Sequence, residues 1–449
     1  MTAHMHRERN VEGNMSEYLK KAVKTAASDD TETRSVVEAM LQDIRHRREN
    51  AVREYAAKFD RWDQDVVVPP DQVRERIKDI PQSARDDFQF ARDQVFGFAV
   101  KQRESMHEFS TELFPGVRLG QKLIPCGCAG CYVPGGRFAH AASAIMSIAT
   151  AKAAGVPYVV ACSPARDDRG INPYVLYAMS ICSPDVILTL GGVQAIAAMA
   201  FGLFTGKPAD IIVGPGNRYV AEAKRLLYGE VGIDVFAGPS ESLVLADAQA
   251  DPRIIAVDLM SQAEHGYDSP VCLVTDSRPL ASAVLELMPA VIAELPEPQV
   301  AKSCWDNYGE VIFCRDRNEM AEVADELAME HVQVMAVDPE WWLGRLRNYG
   351  SLFLGEGSTV SYGDKTSGPN HILPTKRAAR YSGGLSVCKF IKTVTYQYVS
   401  PAANRRVGAV ASRISRLEGM EGHARAADIR LWKYFPEEKF DFNVYRPRP

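Results

Sequence analysis

From residue 31 to about residue 107 the chain is charged, yet apolar side chains recur three and four positions apart: Val36, Met40 and Ile44, then Val52, Tyr55 and Phe59, with a break at Pro69-Pro70. That spacing lines one face of an α-helix, so a helical entry region is predicted. After Gly135-Gly136 short β-branched runs alternate with Ala-rich stretches: YVVACSP from 158, DVILTLGG from 185 and DIIVGPGN from 210, with helices starting near Ser143, Val193 and Asn217. A second series follows, with strands at LVLAD (243), VCLVTDS (271), EVIFC (310), VQVMAVD (332) and SLFLG (351) and helices near 252, 278, 317 and 339. Continuous apolar strands separated by helices predict parallel sheets covered on both faces, in two α/β units. Beyond Pro374 comes a Gly- and Tyr-bearing loop, then helical segments with Arg413, Arg416, Arg425 and Arg430 on polar positions, and a closing PEEKFDFNVYRPRP that reads as an arm.

A length of 449 residues, 46% of them hydrophobic and 24% charged, fits a globular protein of two or three domains. With 52 Lys and Arg against 57 Asp and Glu, the formal net charge of −5 offers no global basic surface for nucleic acid. The richest apolar stretch, residues 139–151, is interrupted by His140, Ser143, Ser147 and Thr150 and meets Lys152, so no membrane span is expected. The first twenty residues lack the apolar middle of a secretory signal, which predicts a cytoplasmic protein. Residues 1–14 read as an extension with little structure, and the run SEYLKKAVKTA as a regular amphipathic segment. Nine cysteines are too sparse for a disulfide framework. Cys126, Cys128 and Cys131 have a spacing open to a metal, but with no fourth Cys or His nearby they are expected to be buried small residues.

Several polar constellations interrupt this pattern. Gly191-Gly192-Val193-Gln194 and Gly214-Pro215-Gly216-Asn217 each follow a strand and precede a helix, so they either present helix N-terminal N–H groups to an anion or simply make tight turns. Gln262 and His265, three apart near a helix end, share a face and are able to meet one metal ion; alternatively His265 is a cation at a helix C-terminus. Glu330 and His331 stand at a switch from helix to strand, as a proton-transfer pair or a solvated pair. The run Gly363-Asp364-Lys365-Thr366-Ser367-Gly368-Pro369-Asn370-His371 is long and polar enough to favour a site over a surface turn. Glu418 and His423 lie five apart, with Gly419 and Gly422 weakening any helix between them.

Taken in order, CYVPGG, GGVQAIAAMAFG, VGPGN, AGPSE, DLMSQAEHG, MEH, SGPNHILPT, GLSV and the closing Glu-x4-His resemble the histidinol dehydrogenase family over roughly residues 25–430. The resemblance implies an α/β enzyme of two Rossmann-like domains with parallel-rich sheets, a helical N-terminal region and a C-terminal dimerisation tail. Its expected parts are an extension and arm over 1–22, a first α/β domain over 23–131 and 240–385 with substrate and zinc residues, a second over 132–239 on the NAD side, and a dimer-swapped tail over 386–449. It further implies a dehydrogenase dependent on NAD and on one Zn²⁺ per subunit, oxidising a primary alcohol through an aldehyde to a carboxylate. By position Gln262, His265, Asp364 and His423 match the zinc ligands, and His331 and Glu330 the alcohol base and the water-activating carboxylate. Tyr132, Gln194 and Asn217 match NAD contacts, and Ser240, His371 and Glu418 substrate contacts. Glu418 and His423 are expected to act across a homodimer. A non-catalytic scaffold of this fold would be expected to have lost one of these residues, and all are present.

Lys365, Lys376, Arg377 and Arg380 give the 365–387 stretch a positive charge that departs from what a cationic substrate such as histidinol calls for. The wording there is similar to the branch of the family that oxidises 2,3-dihydroxypropane-1-sulfonate to 3-sulfolactate, so a small anionic alcohol is the expected substrate, with Lys365 among its contacts. Histidinol or another polyol or amino alcohol is the alternative, which the retained Glu418 favours.

Overall fold

The structure is a computed structural model and describes residues 16–24, 31–135, 139–235 and 238–442. Its strands are β1 (Glu17–Lys20), β2 (Phe109–Phe114), β3 (Val117–Pro125), β4 (Ala129–Tyr132), β5 (Val159–Ser163), β6 (Val186–Thr189), β7 (Ile211–Val213), β8 (Gly232–Ile233), β9 (Ser242–Ala246), β10 (Val271–Thr275), β11 (Gly309–Phe313), β12 (His331–Met335), β13 (Ser351–Leu354) and β14 (Ile391–Val399). The chain forms two compact units, one from Met1–Arg103 with Cys126–Phe390, the other from Glu104–Pro125 with Ile391–Pro449.

The larger unit holds two sheets, ordered β6-β5-β4-β7-β8 and β1-β11-β10-β9-β12-β13. All their pairings are parallel except that of β1 with β11. Counting the parallel strands of each sheet from its first, both run 3-2-1-4-5, so the order reverses between β4 and β7 in one sheet and between β9 and β12 in the other. Doubly wound sheets place ligands at that reversal. The strands β5, β9, β10 and β12 are buried at every residue, which is why their sequences lack alternation. Helix Ala141–Ala154 is buried nearly all round, so small Ala and Ser side chains suit it, and Gly155 ends it at φ 85°.

Several boundaries differ from those read in the sequence. Val37, Met40, Leu41 and Ile44 of helix Thr31–Arg47 share a core with Leu188, Ile196 and Val220 of the five-stranded sheet and its helices, so this entry region does not belong with the first α/β domain. Periodicity reveals a helix's apolar face but not which sheet will cover it. Residues 129–131, expected in that same domain, form β4 and lie at the centre of the five-stranded sheet. The run from Ser16, read as a regular amphipathic segment, supplies the short edge strand β1; the 1–14 extension and the last residues of the C-terminal arm fall outside the described residues.

The smaller unit is a three-stranded antiparallel sheet, β14-β3-β2, followed by helices Pro401–Leu417 and Glu421–Tyr434. Nine residues of β14 pair with β3, from Ile391↔Pro125 to Val399↔Val117, which ties residues 104–125 to the tail rather than to the first domain. Gly419 turns the chain between the helices at φ 77°, and buried Asp428 joins them by accepting from Ser412 Oγ (2.5 Å) and Arg416 Nη2 (2.6 Å).

Behind the reversal point of the five-stranded sheet, Lys224 and Asp234 form an ion pair sealed from solvent. Lys224 Nζ also donates to the Gly214 carbonyl (2.9 Å), and Asp234 Oδ2 accepts the Gly214 N–H (2.7 Å). The pair thus holds both polar groups of a glycine whose φ of 120° and closeness to the Tyr132 carbonyl leave no room for a side chain. Removing one partner strands the other charge: Asp234→Ala is expected to lower the unfolding free energy by about 3–5 kcal/mol, read from urea titration.

Candidate active site

At the amino ends of β9 and β12, His331 pairs in register with Ser242. The residue before each strand is a glutamate, and the two are wired together. The Glu241 N–H donates to Glu330 Oε2 (3.1 Å), and the Glu241 carbonyl accepts from both the His331 N–H and His331 Nδ1 (3.1 Å each). A carbonyl only accepts, so the proton sits on Nδ1 and the lone pair on Nε2. Nε2 finds no hydrogen-bond partner among the described residues, and Asp364 Oδ1 lies 3.8 Å away. Burial lowers the His331 pKa to about 4, with Asp364 opposing, and raises that of Glu330 well above the usual carboxylate range. Phe353 closes one side of the imidazole, with ring centroids 6.1 Å apart.

Three further elements bring groups to this point. Helix Pro252–Ala263 carries Gln262, 3% exposed, whose Oε1 has no partner among the described residues. His265, just past that helix, is reached by solvent yet crowded enough that desolvation lowers its pKa, opposed by Asp364. The short helix Val360–Lys365 brings Asp364, 9% exposed, and Lys365, whose charge further lowers the pKa values of His140, His265 and His371. Asp258 links these elements: one carboxylate oxygen accepts from Gln333 Nε2 in β12 (2.6 Å), the other from Thr359 Oγ1 at the start of the Asp364 helix (3.0 Å), and it lies on the same helix as Gln262.

His371 uses both ring nitrogens. Nδ1 donates to the Asp364 carbonyl (2.9 Å), so Nε2 accepts from Ser143 Oγ (2.9 Å) in the first turn of helix Ala141–Ala154. Asn370 Nδ2 donates to Met146 O (2.8 Å) on the same helix, docking the 364–374 loop on the five-stranded lobe. His140, at the head of that helix, has its pKa lowered to about 4, chiefly by burial and then by Lys365. Ser240 is half-buried beside Glu241, whereas Lys376, Arg377 and Arg380 are exposed.

A second group gathers where the order of the five-stranded sheet reverses. Tyr132 ends β4, and its hydroxyl accepts the Gly192 N–H (3.3 Å); a Cβ on Gly216 would stand 3.2 Å from its ring, so both glycine turns close on this side chain. Asp60, from the N-terminal helical region, accepts from the Gly191 N–H and from Gln194 Nε2 (2.9 Å each), which fixes the Gln194 amide and leaves its oxygen unused by Asp60. Asn217 caps its helix, Oδ1 accepting from the Tyr219 and Val220 N–H groups, so its Nδ2 is the end left for a ligand.

The structure therefore brings Gln262, His265, Glu330, His331, Asp364, Lys365 and His371 to one region, with Ser240 beside it, and gathers Tyr132, Gln194 and Asn217 at another. Glu418 and His423 are exposed in the other unit, at the turn and first helical residues of its hairpin. Among the described residues no three His, Cys, Asp or Glu side chains cluster closely enough for a metal ion; Gln262 is of another type and His423 is in the smaller unit. Cys126, Cys128 and Cys131 are buried free thiols, and burial pushes Cys128 up to about 11. Asp60, His140, Ser143, Glu241 and Asp258 escape sequence reading. Each lies far along the chain from its partner or outside any polar motif; the one signal is Glu241, within AGPSE but not singled out.

Residues 23–431 match the histidinol dehydrogenase family model. The chain is 53% identical to sulfopropanediol 3-dehydrogenase of Ruegeria pomeroyi, over 95% of this chain and 99% of that one. It is 58% identical to a histidinol dehydrogenase homolog of the same organism, over 89% and 93%, and 38% identical to histidinol dehydrogenase of Gluconobacter oxydans, over 90% and 94%. A crystal structure of histidinol dehydrogenase from Elizabethkingia anophelis is similar at a TM-score of 0.86 and 31% identity, covering 92% of this chain and 95% of that chain. No helix among the described residues is long and apolar enough to cross a membrane.

Asp258 offers a test of how the site is held. Asp258→Ala leaves Gln333 Nε2 and Thr359 Oγ1 without their shared acceptor, and a loss of about 2–4 kcal/mol in unfolding free energy is expected from urea titration.

Proposed function

Because the chain belongs to the histidinol dehydrogenase family, we propose that it oxidises 2,3-dihydroxypropane-1-sulfonate to 3-sulfolactate, with NAD as hydride acceptor, one zinc ion per subunit and a site completed by a second copy of the chain. The balance is one alcohol, one water and two NAD⁺ giving one carboxylate, two NADH and three protons. The observation that carries the reading is a neutral, buried His331 whose tautomer is set and whose Nε2 has no partner among the described residues, next to a carboxyl held above its ordinary pKa. The relative named sulfopropanediol 3-dehydrogenase, aligned along almost the whole chain, supports the substrate.

The chain's residues suit zinc on their own chemistry. Gln262 Oε1 is a buried acceptor with no donor among the described residues, an arrangement that costs free energy unless a ligand relieves it. His265, with its lowered pKa, is neutral as a ligand must be, and Asp364 supplies a carboxylate from the neighbouring helix. His423 from a second copy is the fourth proposed ligand. When bound, zinc polarises the substrate oxygen and NAD⁺ accepts hydride.

Proton handling falls to the chain. His331 Nε2 takes the hydroxyl proton of the alcohol, and of the hydrate in the second step, while the Glu241 carbonyl holds Nδ1–H and keeps the ring oriented. Glu330 takes a proton from the water that adds to the aldehyde; burial raises its pKa, which makes its carboxylate a stronger base than one at the surface. Tyr132, Gln194 and Asn217 are the proposed NAD contacts, at the reversal of the five-stranded sheet. Ser240, Lys365 and Glu418 are the proposed substrate contacts, with Lys365 and the 376–380 cations favouring an anion. His371, with both nitrogens engaged, holds the Asp364 backbone and touches substrate only by giving up Ser143. Histidinol remains the second reading, favoured by Glu418.

Side-by-side assays are expected to give a kcat/KM for dihydroxypropanesulfonate about 100-fold or more above that for histidinol; preference for histidinol would reject the anionic substrate. His331→Asn is expected to lower kcat by about 10²–10⁴ with zinc content unchanged, whereas His423→Ala loses the metal on gel filtration. The reverse pattern would exchange their roles.

A further inference from the structure

Glu241 touches both the proton-transfer pair and the basic turn at 376–377. Its backbone holds Glu330 and His331. Its side chain does something separate: Oε1 accepts the Lys376 N–H at 2.9 Å. Lys376 and Arg377 are consecutive residues in left-handed backbone, at φ 53° and 64°, a region that L-residues other than glycine enter reluctantly. Such a turn persists only where its surroundings hold it.

A second tie lies beside the first. Thr375, 1% exposed, accepts the Gly238 N–H on Oγ1 at 2.5 Å. The Lys376 stem lies across Gly238, where a Cβ would stand 2.7 Å from Lys376 Cε. The 238–241 segment, which includes Ser240, is therefore clamped to 375–377 by the Thr375 hydroxyl and the Glu241 carboxylate. Burial raises the Glu241 pKa, while the Lys376 backbone bond and charge oppose it.

We infer that Glu241 is a positioning residue for substrate charge: its carboxylate holds the left-handed Lys376-Arg377 turn against the Ser240 segment, so that the Lys376 ammonium serves the anionic end of the substrate. The backbone bonds of Glu241 survive replacement of its side chain, so loss of the carboxylate frees the turn and leaves the proton-transfer pair in place. The inference rests on the anionic-substrate reading above.

The test compares dihydroxypropanesulfonate with propane-1,2-diol, which lacks the sulfonate, on the zinc-loaded enzyme. Glu241→Ala is expected to lower the ratio of kcat/KM for the sulfonate to kcat/KM for propane-1,2-diol by about tenfold, through a rise in KM for the sulfonate. Glu241→Gln retains an oxygen acceptor for the Lys376 N–H and is expected to keep that ratio within about threefold of the parent's. Equal losses on the two substrates, no change in KM for the sulfonate, or a Gln variant as impaired as the Ala variant would each overturn the inference. Lys376→Ala separates the two ideas. If it leaves KM for the sulfonate unchanged, charge recognition by this lysine fails; if it raises KM and Glu241→Ala does not, only the role of Glu241 fails. Should Glu241→Ala not fold, Thr375→Val cuts the other tie between the same segments and is judged by the same outcomes.

Discussion

The pairing of β9 with β12 underlies the chemistry of this chain. The two strands start level, Ser242 opposite His331, so the residues just before them, Glu241 and Glu330, are also neighbours. Consecutive residues inside a strand point to opposite faces, and an adjacent Glu-His pair would then be divided by the sheet. At the strand's first residue the chain has only just entered the sheet, and the backbone of Glu241 is able to bind the side chains of both members. The tautomer of His331 follows from that pairing, since a strand carbonyl is what faces Nδ1.

Both sheets have the same winding, yet their working edges differ. The five-stranded sheet gathers Tyr132, Gln194 and Asn217 at the carboxyl ends of its strands, where the order reverses and helix N-termini point outward. The six-stranded sheet presents Glu330 and His331 at its amino ends. Helix Ala141–Ala154 connects the two regions, because its first turn begins soon after Tyr132 and reaches His371 through Ser143. Proposed reaction groups on one sheet and proposed cofactor contacts on the other suit a hydride transfer, which needs two partners held face to face.

Unsatisfied polar atoms and neutral histidines express the same economy. Gln262 Oε1 and His331 Nε2 are buried without partners among the described residues, at roughly 1–3 kcal/mol each. His140, His331 and His371 all have lowered pKa values because low-dielectric surroundings disfavour a charged ring, and Lys365 adds to this at His140 and His371. A site whose imidazoles are uncharged and whose exposed cations are lysine and arginine keeps its proton acceptors separate from its fixed positive charge.

Much of this was legible in the sequence for a simple reason: local periodicity is written in neighbouring residues. Apolar runs such as Val271-Cys272-Leu273-Val274 announce a buried strand, Asn217 after Gly214-Pro215-Gly216 announces a helix start, and Gly419 with Gly422 announces the break between the last two helices. The ordered motifs likewise identified the family. Contacts between distant segments were not legible. Asp60 meets Gly191 and Gln194 across more than a hundred residues, Ser143 meets His371 across more than two hundred, and the 104–125 hairpin joins a strand beginning at 391. By itself the sequence determined most of the helices and parallel strands, the presence of two α/β units and the list of candidate residues, since hydrophobic period and turn chemistry act over a few positions. Only the tertiary structure decided which lobe the entry helices cover, which carbonyl sets the His331 tautomer and which carboxylate holds the basic turn, because hydrogen bonds and burial depend on distance in space rather than along the chain.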